Sequence, residues 1–229
     1  MVKSNRPLIM GENGAVATNH PQATSVGLDV LRSGGNAIDA SVAVSLALGV
    51  VEPAMSGLGG DGFYHVWLAN PAKTLVYNGT GTAPKAAVKG KKFSKDIPVL
   101  GPHSMSIPGM VGGLGAMHND YGTKSWQSLC DPAACLADNG FFVTHAYRSF
   151  AQQASEKIQR NETSNEIFLD KSSSPDIGTK IQQPKLCQTL TQLGDEGPGG
   201  FYRGNLANKI VKDARVAGLL LSNSDFAEF

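Results

Sequence analysis

The sequence is poor in cysteine, in aromatic residues and in charge, and it has no long hydrophobic run. Three cysteines, Cys130, Cys135 and Cys187, cannot all pair within one chain, which argues against a disulfide framework. Cys130 and Cys135 fall on diverging faces of a helix-like stretch, with no C-x-x-C and no histidine at ligand spacing. Reduced structural thiols are therefore expected, and neither a metal centre nor a cofactor is. Charged residues make up 17% of the chain and the formal net charge is +1. Without a basic stripe or an acidic tail, nucleic acid is not an expected partner. The longest apolar run, residues 40–51, contains two serines, Ser41 and Ser45, and is too short to cross a bilayer. Residues 1–10 have neither an apolar core nor a small-residue cleavage site, so the expectation is no secretory signal, no membrane partner and a cytoplasmic location. No G-x-S-x-G elbow, H-E-x-x-H, P-loop or recognisable Cys-His pair is present, which removes the common self-contained catalytic motifs.

What is present is glycine, 27 residues of it, in a chain that is 41% hydrophobic and long enough for a full core. Residues 36–84 organise the rest. Asn36 follows Gly34-Gly35 and precedes a run of small and apolar residues, with Asp39 three positions on. That is the pattern of a capped helix whose first turn carries a carboxylate. Its apolar character all round predicts a helix covered by other layers, and Glu52-Pro53 ends it. Gly57-Leu58-Gly59-Gly60-Asp61-Gly62 then leaves a helix and opens a strand. A dinucleotide fingerprint runs the other way, from strand to helix, so a tight turn against a packed layer is the better reading. Residues 63–68 and 74–77 are predicted strands joined by a hairpin at residues 69–73. His65, between Phe63 and Trp67, reads as a core or layer-packing histidine. The second strand runs into Asn78-Gly79-Thr80-Gly81-Thr82-Ala83-Pro84, a strand exit whose hydroxyls suit a pocket wall.

Either side of this stretch the patterns are plainer. Residues 14–18 read as a short strand, and His20-Pro21 as the entry to a helix closed by Gly34. His20 is weighed as a general base and read instead as a residue that satisfies local backbone groups. Residues 85–95 form a lysine-rich solvated segment. From Gly109 helices dominate: residues 109–118, a face of Trp126, Leu129, Ala133, Leu136 and Ala137, a face of Ala146, Phe150 and Ala154, and a face of Leu186, Leu190 and Leu193. Residues 161–180 read as a polar loop, and residues 195–200 as a turn with a solvated carboxylate pair. Leu206, Ile210, Val211 and Ala214 give the last helix, with Asn205 as its cap.

Several of these stretches, in this order, resemble the large subunit of the gamma-glutamyltransferase family. They are Thr18-Asn19-His20-Pro21, Gly34-Gly35-Asn36-Ala37-Ile38-Asp39-Ala40, Glu52-Pro53, Ser56-Gly57-Leu58-Gly59-Gly60-Asp61-Gly62-Phe63, Ala83-Pro84, Ile107-Pro108-Gly109, Tyr121-Gly122, Phe201-Tyr202-Arg203-Gly204 and Gly218-Leu219-Leu220. The resemblance implies an α+β fold, the αββα sandwich of N-terminal-nucleophile hydrolases. Residues 1–84 would give sandwich layers and pocket wall, and residues 85–229 a mostly helical part. It implies a self-processing amide hydrolase or acyltransferase whose nucleophilic threonine belongs to a small catalytic subunit of the same precursor. No catalytic residue is then expected in this chain, and the assembly would be a dimer of processed heterodimers. Glutamyl-transferring members grip the substrate's α-carboxylate with an arginine in an Arg-Glu-x-Ala-Pro motif. Here Thr80 and Gly81 stand in place of Arg-Glu, and a hydroxyl does not substitute for a bidentate guanidinium. Thr80 and Gly81 are therefore the expected substrate-binding residues, for a small amide in the manner of the amidohydrolase and acylase branch, such as oxamate amidohydrolase. The alternatives are a true glutathione hydrolase, or a non-catalytic remnant with a binding or structural role.

Overall fold

The computed structural model describes residues 9–89 and 97–229. The segment read for a secretory signal and the second half of the lysine-rich stretch fall largely outside those residues. Helix α1 (Pro21–Arg32) has His20 as its N-cap and Pro21 in its first turn, where a missing N–H costs nothing. Helix α2 (Ala37–Val51) opens with the capping box of Asn36 and Asp39 and ends at Glu52. Asp39 does more than cap. Its two oxygens accept from Asn36 N at 2.9 Å, Thr123 N at 2.9 Å, Thr123 Oγ1 at 2.6 Å and Lys124 N at 3.1 Å. Asn36 Nδ2 donates to Tyr121 O at 2.7 Å. The start of α2 is thus stapled to residues 121–124, far along the chain.

Val42, Ala43, Ala47 and Val50 of α2 are fully buried, with α1, the later α4 (Met110–Tyr121) and α5 (Trp126–Asn139) packed against it. The expected all-round cover is not what the described residues give. Ala37 and Ser41 are exposed, and Val44, Ser45 and Leu48 only half-buried, because these neighbours leave one stripe open. Alongside it, residues 14–18 alternate as a strand would, Val16 and Thr18 turned in and Ala15 and Ala17 out. They form no strand, since no ladder partner lies beside them among the described residues.

Strands β1 (Gly62–Ala69) and β2 (Ala72–Gly79) form an antiparallel hairpin in which Tyr64 faces Tyr77 and His65 faces Val76. Tyr64, Val66 and Leu68 turn toward the helices, and α4 packs on both strands. The opposite face carries Phe63, His65, Trp67 and Val76, all exposed. Of the two readings of His65, core or layer-packing, the core one is excluded by this exposure. Both faces of the hairpin are apolar in sequence, so period-two alternation could not tell which one α4 covers.

The helical remainder comprises α3 (Lys85–Lys89), a single 3-10 turn at Pro102–Ser104, α4, α5, β3 (Phe141–Phe142), α6 (His145–Gln153), α7 (Ser155–Gln159), α8 (Glu162–Phe168), β4 (Lys180–Ile181), α9 (Pro184–Arg203), α10 (Asn205–Val216) and α11 (Asn223–Ala227). The class is α+β. Helix α9 packs on α5, and Leu190 and Leu193 of the one and Leu129 and Ala133 of the other are all buried in the core. Several expectations change here. In α6 the buried face is Tyr147 and Ala151, with Ala146 and Phe150 exposed, because Tyr147 reaches Phe168 O at 3.0 Å and packs on Phe141. The polar stretch expected as a loop contains α8, capped by Asn161, whose side chain accepts from Ser164 N at 2.8 Å. The turn expected at residues 195–200 is a kink within α9, made at Gly197 with φ 70°. The Asp195 and Glu196 carboxylates are exposed there, as expected. Asn205 is the first residue of α10, whose N-cap is Gly204. One more helix follows it, α11, with a capping box of Ser222 and Asp225.

All three cysteines are free. Cys130 is buried and its thiol is pushed up to about 12 by burial, with the nearby Asp131 adding to the shift, whereas Cys135 is exposed. A thiol-specific chromophoric reagent at neutral pH should label Cys135 first and leave Cys130 at least about a hundredfold slower, since the thiolate is the nucleophile. Denaturation without reductant should return all three thiols. Prompt labelling of Cys130 in the native protein would contradict its placement.

Candidate functional site

Three segments meet at the open end of the hairpin: residues 57–62, 79–84 and 106–113. Their contacts run largely through backbone atoms. Gly60 O accepts from Gly109 N at 3.1 Å and Met110 N at 2.9 Å, and Thr82 O accepts from Ile107 N at 2.9 Å. Gly60 N closes a turn on Gly57 O at 3.0 Å. The glycine-rich stretch is therefore the tight turn that its helix-to-strand setting predicts. Such close approach requires glycine at two positions above all. A Cβ on Gly81 would fall inside the van der Waals radius of Ile107 O and lie 2.7 Å from Ser106 Oγ. A Cβ on Gly109 would overlap Gly79 O and sit 2.9 Å from Gly81 N.

Two tyrosines pin the same junction from below. Tyr202 OH donates to Pro108 O and accepts from Gly112 N, both at 2.8 Å. Tyr64 OH donates to Met110 O at 3.1 Å. Burial pushes the Tyr64 phenol up to about 12, helped by the Asp61 charge, and burial also raises Tyr202. Both stay neutral donors at any physiological pH.

Beside this junction lies an open groove of about 620 Å³. Asn78, Thr80 and Thr82 line one side, Gly112 and Gly113 of α4 its floor, and the end of α11 with Glu228 and Phe229 the other side. Thr80 is exposed and its amide donates to Asn78 Oδ1 at 3.0 Å. Gly81 does not line the groove: its amide turns away to Asp61 Oδ1 at 2.8 Å. So of the two residues that the sequence singled out, Thr80 addresses the groove, and Gly81 allows the loop to pack. Among the described residues the one cationic side chain in the lining, Lys85, is ion-paired with Glu228. Asp225 is buried and accepts from Lys85 N at 3.1 Å and from Ser222. Burial opposes its ionisation, but the Ser222 and Lys85 contacts outweigh that and hold its carboxyl below the usual range. Hydroxyls, an amide and a neutralised ion pair make up the polar part of this lining.

His20 stands apart from the groove. Its Nδ1 accepts from Gln22 N at 3.3 Å, and its ring meets Phe141 edge-on. Burial holds its pKa below the ordinary value, against the pull of Glu52. The local backbone role read from the sequence is the one it plays.

The profile of the gamma-glutamyltranspeptidase family matches residues 23–229. The chain belongs to the gamma-glutamyltranspeptidase family. Among relatives, a protein named glutathione hydrolase proenzyme from Pseudomonas sp. is 35% identical over 225 residues, covering 95% of this chain and 39% of its own length. The crystal structure of Helicobacter pylori gamma-glutamyltranspeptidase superposes with a TM-score of 0.90 at 34% identity, over 97% of this chain and 66% of that one. A cephalosporin acylase from Bacillus halodurans superposes with a TM-score of 0.85 at 28% identity, over 100% of this chain and 46% of that one. The chain thus spans about two fifths of the curated relative that it matches. The α+β architecture expected from the resemblance is that of these neighbours. Among the described residues, no helix is long and apolar enough to cross a membrane.

Sequence reasoning missed Asp61 as the acceptor for Gly81, the 106–113 segment as a second wall, and α11 as the far side of the groove. The last was marked by Ser222-x-x-Asp225, a capping-box pattern. The first two rest on contacts between distant loops, for which no local pattern exists.

Proposed function

We propose that this chain is the large-subunit portion of a self-processing, threonine-nucleophile amide hydrolase that acts on a small amide without a glutamyl head group. The observation that carries the reading is Thr80. It presents a neutral hydroxyl to the groove, and among the described residues the only cation in the lining is already paired with Glu228. A substrate α-carboxylate would find no guanidinium there to bind it. In this reading the sandwich layers and pocket wall come from residues 1–84, and the nucleophile comes from the small catalytic subunit of the same precursor. The freed α-amine of that threonine would act as its own base, since an α-amino group titrates near neutrality. Two processed heterodimers would form the working assembly. A cytoplasmic setting accords with three unpaired cysteines. The second reading, a true glutathione hydrolase, draws its support from the name of the relative at 35% identity.

Thr80→Arg in the complete, processed enzyme separates the two. It should raise turnover of a glutamyl anilide relative to the native small amide by about ten- to hundredfold, the worth of one charge-assisted contact. A companion change at Gly81 is ruled out by its contact with Ile107 O. If the wild-type enzyme already transfers glutamyl groups to dipeptides efficiently, the small-amide reading fails. If the arginine lowers stability without moving the ratio, Thr80 is only a strand exit.

A further inference from the structure

We infer that Asp61 is the positioning residue for the substrate-facing loop, acting on Thr80 through the backbone; the inference rests on the reading of that loop as pocket wall. The residues just before and at the turn have their amides held by side-chain oxygens, Thr80 N by Asn78 and Gly81 N by Asp61. The first bond is local and would form in any strand exit of this sequence. The second reaches across 20 residues of sequence, from the glycine-rich turn to the loop, at 2.8 Å. It is charge-assisted, and so among the stronger bonds available to a backbone amide. The turn that carries Asp61 is itself fixed, because Gly60 O takes two amides from the start of α4. Asp61 therefore connects a turn hydrogen-bonded to α4 with the stretch of backbone from which Thr80 projects.

The geometry also fixes the direction of this bond. Gly81 has no side chain, and a Cβ there would meet Ile107 O, Ser106 Oγ and Asp61 Oδ1 together. The peptide is seated in a slot with Ile107 on one side and the carboxylate on another. Rotation of the peptide by a fraction of a turn would break the bond to Asp61 and swing the Thr80 hydroxyl along the groove. Without Asp61 nothing polar among the described contacts of Gly81 N replaces it. A displacement of that size in a substrate-orienting group is enough to weaken binding by an order of magnitude or more.

The test uses the complete, processed enzyme with Asp61→Ala and Asp61→Asn. Asparagine keeps an oxygen that can accept from Gly81 N, while alanine keeps none. Hydrogen exchange at the Gly81 amide should rise by roughly tenfold or more in Asp61→Ala and stay near wild type in Asp61→Asn. KM for the small amide should follow the same pattern, rising about tenfold in the alanine variant with kcat little changed, and rescued by asparagine. Unchanged exchange at Gly81 in the alanine variant would overturn the inference. So would a KM that rises equally in both variants while exchange in Asp61→Asn stays normal, since that pattern puts the carboxylate in direct contact with substrate. If the wild-type enzyme proves inactive on small amides, the proposed function fails, and the exchange result alone still decides the role of Asp61.

Discussion

Asp39→Ala should lower the stability of the protein by about 3 kcal/mol, because it removes the shared acceptor of four part-buried donors at once. The carboxylate is fully buried and accepts four hydrogen bonds, from Asn36, Thr123 and Lys124. Each backbone N–H left without a partner inside the protein carries its own desolvation cost, and the alanine adds a small cavity. Asparagine should cost about half as much. Its oxygen can keep the Thr123 and Lys124 amides, and the Thr123 hydroxyl can turn to accept, but its NH₂ then faces the Asn36 N–H. Burial opposes ionisation of Asp39, yet the bonds from Thr123, Asn36 and Lys124 together hold its carboxyl below the ordinary 3.8. A group whose folded pKa is depressed contributes stability above its unfolded value and loses it as pH falls through the folded value. The acid limb of stability, below about pH 4, should therefore be steeper in the wild type than in Asp39→Ala. Urea unfolding curves across pH 2–7 would show both effects. A loss under about 1 kcal/mol would mean that the staple between α2 and residues 121–124 is not holding the helices together.

Gly109→Ala should cost about 2–3 kcal/mol, and it should do so although the backbone there suits any residue. Gly109 has φ −104° and ψ −18°, so no conformational strain is introduced. The penalty comes from volume alone. The new methyl would overlap Gly79 O and approach Gly79 C to 2.7 Å and Gly81 N to 2.9 Å, and backbone atoms cannot move aside as a flexible side chain does. Relief requires β2 and the first turn of α4 to separate, which should also displace the Thr80 loop. Two readouts check this: a lowered melting temperature, and a KM for substrate that rises in parallel. Wild-type stability in the alanine variant would show that the junction has slack. Gly199, which has nothing near its would-be Cβ, serves as the control, since alanine there should be close to neutral.

How much of this was legible beforehand follows physical lines. The start of α2 was readable to the residue, because a capping box is written in four consecutive positions and Asn36 and Asp39 fill it. The hairpin was readable too, within a residue or two at each end. Which of its faces lies inward was not, since Phe63, Trp67 and Val76 are as apolar as Tyr64, Val66 and Leu75, and only the placement of α4 distinguishes them. The face of α6 was misread for a similar reason: Tyr147 is amphipathic, and its burial depends on a carbonyl at Phe168 that no pattern announces. At the candidate site, Thr80 was singled out by what it replaces in a family motif. Asp61 could not be found that way, because its work is a bond to the backbone of a residue chosen by the fold.

The junction beneath Thr80 is built from carbonyls, amides and missing side chains, and this has a consequence for how such a protein diversifies. A contact made by backbone atoms is indifferent to most of the residues that contribute it. Drift at Thr80 or Thr82 leaves Gly60, Gly79, Gly81 and Gly109 in register, so a lineage can try out new groove-facing side chains one at a time while the scaffold that presents them is inherited intact. Constraint and novelty fall on alternate positions of a single short loop, and a change of groove lining needs no change of architecture.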